Sequence, residues 1–334
     1  MKTPSVRFLF RLAAGPRIGF GHLMRCRALA RALNVRPLVS LRGGASARRT
    51  ARAFGCDLRE KAVRQLSAID LLIVDDPSPR HAHAWLMRAK RAGTRTATIH
   101  DLGIGSSAAD LVVDGSLLAP SPRLVPAALR GPRFAVLDPN VAAARARRGR
   151  HRRATPGRRV LIALGGGSHV FSVVQPLVDD IARRCPGATI TVAAGFCRQA
   201  RPSLGVARWI DRPRGLARDL AEADVVVVSG GVTLCEACAV GVPAVALAVV
   251  PAQRAAVEAF AGRGAAIDAG ALSEKGTAVS RAGAAVAGLL GDGSARRRRS
   301  SAGRRLIDGL GALRVGARFR SLAMTAASRR SGRA

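Results

Sequence analysis

The segment IGFGHLMRCRALARAL, residues 18 to 33, decides how the first half of the chain is organised. It follows an apolar run, Val6 to Leu12, so the local pattern is a strand, a glycine-rich turn and then a helix. Gly19 and Gly21 allow backbone N–H groups to approach a ligand because no Cβ stands in the way. His22 falls at the helix start, where unpaired amides and the positive end of the helix dipole point outward. The segment therefore predicts a titratable imidazole beside an anion site.

The same helix has an apolar stripe that predicts its packing on a sheet. Leu23, Cys26, Ala30 and Leu33 recur at three- and four-residue spacing. Arg25, Arg27 and Arg31 lie off that stripe.

The composition describes a globular protein with a large basic excess. The chain has 334 residues, enough for two domains, and a formal net charge of +34. The excess is nearly all Arg and is scattered through predicted helices, while aromatic residues make up 3% and no recognised nucleic-acid module is present. The charge therefore favours anionic substrates. A non-enzymatic anion-binding or nucleic-acid-binding protein is the alternative from another class.

Short aliphatic runs alternate with helical patterns along the whole chain, which predicts an α/β protein with parallel sheets. A basic stretch without apolar periodicity separates two such halves, and each half opens with a strand and a glycine turn. We therefore expect two Rossmann-like domains facing a central cleft. The predicted divisions are an N-terminal domain at 1–140, a linker at 141–159, a C-terminal domain at 160–315 and a basic tail at 316–334.

Two glycine loops in the second half suit a nucleotide. The strand at 160–164 runs into GGGS, residues 165 to 168, which matches neither a Walker A motif nor GxGxxG. The strand VVVV leads to Ser229-Gly230-Gly231-Val232-Thr233 at a helix start, where backbone amides suit a pyrophosphate. Glu236, one turn into that helix, is placed to accept hydrogen bonds from a ribose diol. Gln253 follows the next strand and is expected near the same crevice.

The order GGVTLCEACAVGVPAVALAVVPAQ resembles the nucleotide-sugar half of GT-B glycosyltransferases. The opening IGFGHLMRCRALA, together with LLIVDD, ALGGGS and RLIDGLGALRV, is similar to the UDP-sugar hydrolases of pseudaminic acid biosynthesis and to related spore-coat polysaccharide proteins. The resemblance covers roughly residues 5 to 315. It implies a GT-B-like fold and a UDP-sugar substrate.

The resemblance also implies roles for individual residues. The histidine that activates water corresponds to His22, the predicted catalytic base. The residues assigned to UDP are Gly166, Gly167, Ser168, Gly231, Thr233 and Glu236. The residues expected on the substrate side are Gly19, Gly21, Arg25, Asp75, Asp101 and Gln253. Asp101 either positions the sugar or orients His22, or it caps a loop, and of Asp75 and Asp76 one is expected to reach substrate while the other caps.

The favoured reaction is hydrolysis that releases UDP from an activated amino or deoxy sugar, with transfer to an acceptor sugar as the alternative. Nothing in the sequence requires a metal or another cofactor. Three departures from the family pattern, Ala13, Pro77 and Ala252, lie where the sugar or pyrophosphate is handled, so the sugar stays open. No secretory or membrane-spanning segment is evident, which predicts a cytoplasmic protein whose basic surface suits peripheral contact with a membrane.

Overall fold

The structure is a computed structural model that describes residues 6–59, 66–100, 108–118, 128–150, 157–165, 170–196, 203–212 and 214–331. The chain divides into two compact units. Unit 1 comprises Met1–Pro139 and Leu310–Ala334, and unit 2 comprises Asn140–Gly309.

Unit 1 is built on a parallel sheet. Among its described residues the sheet has seven strands, in the order β3-β2-β1-β4-β5-β6-β7. The strands are β1 (Phe8–Ala13), β2 (Leu38–Arg42), β3 (Asp57–Leu58), β4 (Leu71–Asp75), β5 (Arg95–His100), β6 (Leu111–Asp114) and β7 (Ala128–Arg130). The helices are α1 (Gly21–Leu33), α2 (Ala45–Ala53), α3 (Pro79–Arg91) and, from the end of the chain, α11 (Gly311–Ser331). Every residue of β1 and β4 is buried, as expected for central strands covered on both faces.

Unit 2 repeats the arrangement. Its described residues form a parallel sheet of six strands, in the order β10-β9-β8-β11-β12-β13. The strands are β8 (Arg159–Ala163), β9 (Thr189–Ala193), β10 (Arg208–Ile210), β11 (Val225–Ser229), β12 (Ala244–Ala248) and β13 (Ala266–Ala271). The helices are α4 (Asn140–Arg150), α5 (Phe171–Arg184), α6 (Ala217–Glu222), α7 (Val232–Val240), α8 (Arg254–Gly262), α9 (Lys275–Gly291) and α10 (Gly293–Leu306).

In both units the strand order reverses beside the first strand. The chain leaves β1 for one side of the sheet and returns at β4 on the other, and β8 and β11 are related in the same way. Loops that follow such a strand pair diverge and leave a crevice at the carboxyl edge of the sheet. This edge carries the glycine loops in each unit.

The first part of the predicted linker at 141–159 forms α4, which belongs to unit 2. Arg145 does not point into solvent: its Nη1 donates to the carbonyl oxygens of Ala239 at 2.9 Å and Ile307 at 3.0 Å. The arginines of α4 hide any helical periodicity of apolar residues in the sequence. In the structure they bind other elements, since a guanidinium can donate hydrogen bonds to the carbonyl oxygens at helix ends. Residues 151–156 lie outside the described residues.

Most of the predicted basic tail at 316–334 lies in α11, which belongs to unit 1 and packs on α1. Val315, Phe319 and Ala323 are each 0% exposed. They recur every four residues, which is the spacing of a helix face that packs on a neighbour. The arginines between these positions make the stripe hard to recognise in the sequence.

The segment RLIDGLGALRV, residues 305 to 315, spans a break between two helices: α10 ends at Leu306 and α11 begins at Gly311, with Gly309 at a φ of 82°. The edge strands β3, β7, β10 and β13 are not evident from the sequence. The first three have two or three residues, too few to show an alternation, and β13, AIDAGA, is rich in alanine and glycine, which are depleted in strands.

Candidate active site

The loop after β1 forms a closed turn that sets the start of α1. Gly15 and Gly19 exchange two backbone hydrogen bonds, with N···O distances of 3.0 and 2.7 Å. Gly19 has a φ of 88°, a conformation that favours glycine. The residue before α1, Phe20, gives no side-chain cap to the helix, and Gly21 is its first residue. His22 is thereby held in the first turn, as the sequence predicts.

Asp75 is the closest acidic partner of His22 that the contacts reveal. It is the last residue of β4, and Leu12 of the adjacent β1 is its partner in the sheet register. Its Oδ1 lies 2.7 Å from His22 Nδ1. The side chain of His22 is 16% exposed and that of Asp75 is 6% exposed, so the carboxylate lies beneath a ring that still reaches the surface.

Arg25 holds this carboxylate from the side. Its Nε donates to Asp75 Oδ2 and its Nη2 to Asp75 Oδ1, both at 2.8 Å. A two-point contact of this kind fixes the plane of a carboxylate as well as its charge. Arg25 is 3% exposed, so it is a buried partner of Asp75.

Two groups lie next to the Nδ1 atom of His22, one that accepts a hydrogen bond and one that donates a hydrogen bond. Arg25 Nη2 lies 2.7 Å from it, the same distance as Asp75 Oδ1. An ionised carboxylate only accepts and a guanidinium only donates, so the ring tautomer decides which neighbour His22 bonds. Arg25 and His22, against the effect of burial, hold the pKa of Asp75 well below its ordinary value. A proton on Nδ1 then bonds to Asp75 and leaves the Nε2 lone pair to accept a proton.

Of Asp75 and Asp76, it is Asp76 that caps a backbone N–H group. Its Oδ1 accepts the backbone N–H of Ser78 at 3.0 Å, just before α3. Arg42 Nε donates to its Oδ2 at 3.0 Å, and Arg11 Nη2 lies 3.8 Å away. Because successive residues of an extended chain point to opposite sides, Asp75 faces His22 while Asp76 joins this separate cluster.

Unit 2 gathers a second set of residues at the carboxyl edge of its sheet. Gly165 follows β8 with a φ of 109°, and a Cβ at this glycine would lie 3.7 Å from Ser229 Oγ at the end of β11. Gly230 admits no side chain, since a Cβ there would lie 2.7 Å from Val257 Cγ2 and 3.1 Å from the carbonyl oxygen of Gln253. Gly165, Ser229 and Gly230 lie at the ends of β8 and β11, the adjacent strands at which the strand order of unit 2 reverses.

Gln253 lies in this set, next to the glycine loop beside which the sequence placed it. Its Oε1 accepts the backbone N–H of Val249 at 3.1 Å. Its Nε2 would lie 3.5 Å from a Cβ placed on Gly231, the residue before α7. Gly231 provides no side-chain cap to α7. Gln253 is therefore a neighbour of the helix start at which a pyrophosphate is expected.

The remaining predicted residues divide into two groups. Thr233 is half-buried in the first turn of α7, and Glu236 is 7% exposed further along it. Asp101, Gly166, Gly167 and Ser168 lie outside the described residues. Ser229 was not among the predicted site residues, although its place between a buried strand and a glycine pair was a signal for it.

Within the part of the chain that the structure describes, no group of three or more His, Cys, Asp or Glu side chains is arranged to hold a metal ion. In the same part, no helix combines the length and the apolar character needed to cross a membrane.

Comparison with solved structures identifies the fold. Spinosyn rhamnosyltransferase SpnG, complexed with thymidine diphosphate, superposes with a TM-score of 0.62 at 16% identity, over 95% of this chain and 100% of SpnG. MurG of Acinetobacter baumannii gives 0.60 at 14% identity, over 94% of this chain and 99% of MurG. The glycosyltransferase SnogD of Streptomyces nogalater gives 0.61 at 15% identity, over 96% and 100%. The chain therefore has the GT-B fold, and the predicted pair of Rossmann-like domains is confirmed.

One curated relative adds a sequence likeness. Spore coat polysaccharide biosynthesis protein SpsG of Bacillus subtilis (strain 168) is 30% identical over 148 residues. The match takes in 42% of this chain and 43% of SpsG, so the chain spans less than half of that relative's length. No family model matches the chain.

Proposed function

We propose that this chain is a glycosyltransferase that takes a sugar from a nucleoside diphosphate, UDP by the resemblance of its sequence, and attaches it to a hydroxyl group of an acceptor. The observation that carries the proposal is the 2.7 Å contact between His22 Nδ1 and Asp75 Oδ1. A buried carboxylate on one ring nitrogen makes the other nitrogen a base, and a base is what a hydroxyl nucleophile requires.

In the proposed reaction His22 Nε2 removes the proton of the acceptor hydroxyl. The acceptor oxygen forms a bond to the anomeric carbon of the sugar as the bond from that carbon to the phosphate oxygen breaks. UDP leaves with the electron pair of the broken bond. Asp75 stays ionised and stabilises the imidazolium, while Arg25 keeps the carboxylate in place.

Unit 2 supplies the proposed nucleotide contacts. The start of α7, preceded by Gly231 and without a side-chain cap, offers backbone N–H groups to the pyrophosphate. Ser229 and Gln253 contribute polar atoms next to it, and Glu236 is proposed for the ribose. Gly166, Gly167 and Ser168 keep the role that the sequence resemblance implies. SpnG, which has the same fold, is complexed with thymidine diphosphate.

The proposed biological setting is the assembly of a surface or spore-coat polysaccharide. SpsG carries that description, and its likeness to this chain supports the setting. Glycosyltransferases among the structures with the same fold favour transfer over the hydrolysis that the sequence resemblance suggested first.

The experiment measures UDP release from a panel of UDP-sugars, with TDP-sugars as a second panel, in the presence and absence of sugar acceptors. Release that depends on acceptor and disappears in His22→Ala supports the transferase. Equal release without acceptor, again lost in His22→Ala, identifies a hydrolase that uses the same base. Undiminished turnover in His22→Ala contradicts both reactions as we describe them.

A further inference from the structure

The exposed side of α11 carries an apolar strip that the proposed reaction does not use. We define the α11 strip as Leu313, Ala317 and Met324. Leu313 is 49% exposed and Met324 is 39% exposed, although the opposite side of α11 is fully buried against unit 1. At 100° per residue the three positions fall within about 40° of one another around the helix. They share one side of the helix, and Arg320 lies at the edge of that side between Ala317 and Met324.

A groove runs along the strip. It has a volume of about 870 Å³ and is lined by α11, including the three strip residues, and by Ala32 of α1. Thr325 Oγ1 donates to the carbonyl oxygen of Ser321 at 3.0 Å, and Ser328 Oγ donates to that of Met324 at 3.1 Å. These two hydroxyl groups are turned onto the helix backbone, which leaves Arg320 and Ser321 as the other polar side chains of the lining.

Arginine lies on both sides of the α11 strip. By the same helical geometry Arg320 falls on one side, and Arg314 and Arg318 fall on the other. Arg320 Nη2 donates to the carbonyl oxygen of Leu33 at 2.6 Å, which fixes that side chain at the edge of the strip. The sequence of α11 contains five arginines and no carboxylate. No acidic residue of the helix therefore opposes an anionic surface.

We propose that α11 docks on the surface of an anionic phospholipid bilayer. An apolar line flanked by arginines is the pattern of a helix that lies in the membrane interface, with apolar side chains among acyl chains and guanidinium groups on phosphates. Long arginine side chains reach outward to the headgroups while their methylene groups stay on apolar surface.

Charge complementarity favours an anionic bilayer over a second copy of the chain as the partner of this surface. A second copy of the chain carries the same net charge of +34 and the same five arginines on α11, so two copies repel each other when their α11 helices face. An anionic bilayer offers negative charge and an apolar layer in one surface. The proposal is independent of the reaction proposed above.

The test measures co-sedimentation of the full chain with vesicles of phosphatidylcholine alone and of phosphatidylcholine mixed with phosphatidylglycerol. We expect binding only to the mixed vesicles, and weaker binding at high salt. Leu313→Ser with Met324→Ser removes the apolar contact without changing charge. It is expected to weaken partitioning by roughly tenfold or more. Val206→Ser, at a residue of unit 2 that is 73% exposed, is the matched control and is expected to have no effect.

The electrostatic part is tested by a second matched pair. Arg314→Gln with Arg318→Gln is expected to weaken partitioning by roughly 10- to 30-fold. Arg297→Gln with Arg298→Gln removes the same charge from exposed positions of α10 in unit 2 and is expected to have a much smaller effect. Thermal unfolding of each variant verifies that it is folded. Equal losses in the two arginine pairs, or unchanged binding in the Leu313 and Met324 variant, would overturn the proposal in favour of general charge attraction.

Discussion

Asp75 Oδ1 lies 2.7 Å from His22 Nδ1, although 53 residues separate them in sequence. The contact exists because β1 and β4 are neighbours in the sheet, so the helix after β1 begins beside the end of β4. It joins a partly exposed imidazole to a buried carboxylate whose pKa is held low by Arg25 and His22.

Replacing Asp75 by Asn is expected to reduce turnover on the order of 100-fold, within the range of a general-base contribution. Asn can offer Nδ1 an N–H donor, which favours the tautomer with the proton on Nε2 and removes the lone pair that accepts the substrate proton. Long-range ¹H–¹⁵N correlation of the His22 ring measures the tautomer directly. Turnover that is lost without any change of tautomer contradicts this explanation.

Replacing Arg25 by Gln is expected to cost about 3–5 kcal/mol of unfolding free energy, because the buried carboxylate of Asp75 loses its charged partner. Arg31→Gln is the matched control on the same helix. Arg31 pairs with Asp138 at 2.8 Å, but its side chain is 41% exposed and Asp138 keeps Arg27 as a second partner at 3.9 Å. An exposed arginine of this kind is worth about 1 kcal/mol or less. Urea unfolding compares the unfolding free energies of the two variants. Equal losses would contradict the larger contribution that we assign to Arg25.

Acid is expected to destabilise the wild-type protein more steeply than Asp75→Asn. The pKa of Asp75 is lower in the folded than in the unfolded chain, so its contribution is fully present above the unfolded value of roughly 3.9. It is lost as pH falls below that value toward the folded pKa. The pKa values of Asp76 and Asp110 are also lowered, and both residues are present in the two proteins, so the difference in slope reports Asp75. Urea unfolding at pH 7, 4 and 3 gives the slopes, and parallel slopes contradict the assignment.

Gly231→Ala is expected to weaken UDP binding roughly tenfold, or about 1.4 kcal/mol, while the fold stays intact. The new methyl group would lie 3.5 Å from Gln253 Nε2, an ordinary contact, but in the space before α7 that the pyrophosphate needs. Gly44→Ala is the control, since Gly44 also precedes a helix with extended backbone and has nothing within 4 Å of its Cβ position. Calorimetric titration with UDP measures both. An unchanged affinity in Gly231→Ala removes α7 from the proposed nucleotide site.

Phe319→Ala is expected to lower the unfolding free energy by about 3–5 kcal/mol, because it empties a buried position on α11. Met324→Ala, on the exposed side of the same helix, is expected to have little effect on stability. Chemical denaturation measures both changes. A small loss of unfolding free energy in Phe319→Ala would contradict the packing of α11 as part of unit 1.

The sequence located much of the candidate site because its residues are local signals. Glycines that follow an apolar strand mark a turn wherever they occur, and His22 stands three residues after Gly19. The local sequence could not decide which of Asp75 and Asp76 meets His22, since the two residues are adjacent at the end of the same strand. The side of the sheet that each residue faces decides it. The burial of Arg25 was not evident from the sequence for a related reason: a buried arginine is recognisable only through the partner that neutralises it.

The sequence by itself determined the alternation of strands and helices, the two glycine turns and the imidazole at a helix start. Each of these depends on the few residues around it, through backbone sterics and apolar periodicity. The tertiary structure alone decided that α11 completes unit 1, that the arginines of α4 bind carbonyl oxygens, and that Asp75 meets His22. Those outcomes depend on which distant segments become neighbours in the folded chain, and burial of charge is tolerated only where such a neighbour supplies the opposite charge or a hydrogen bond.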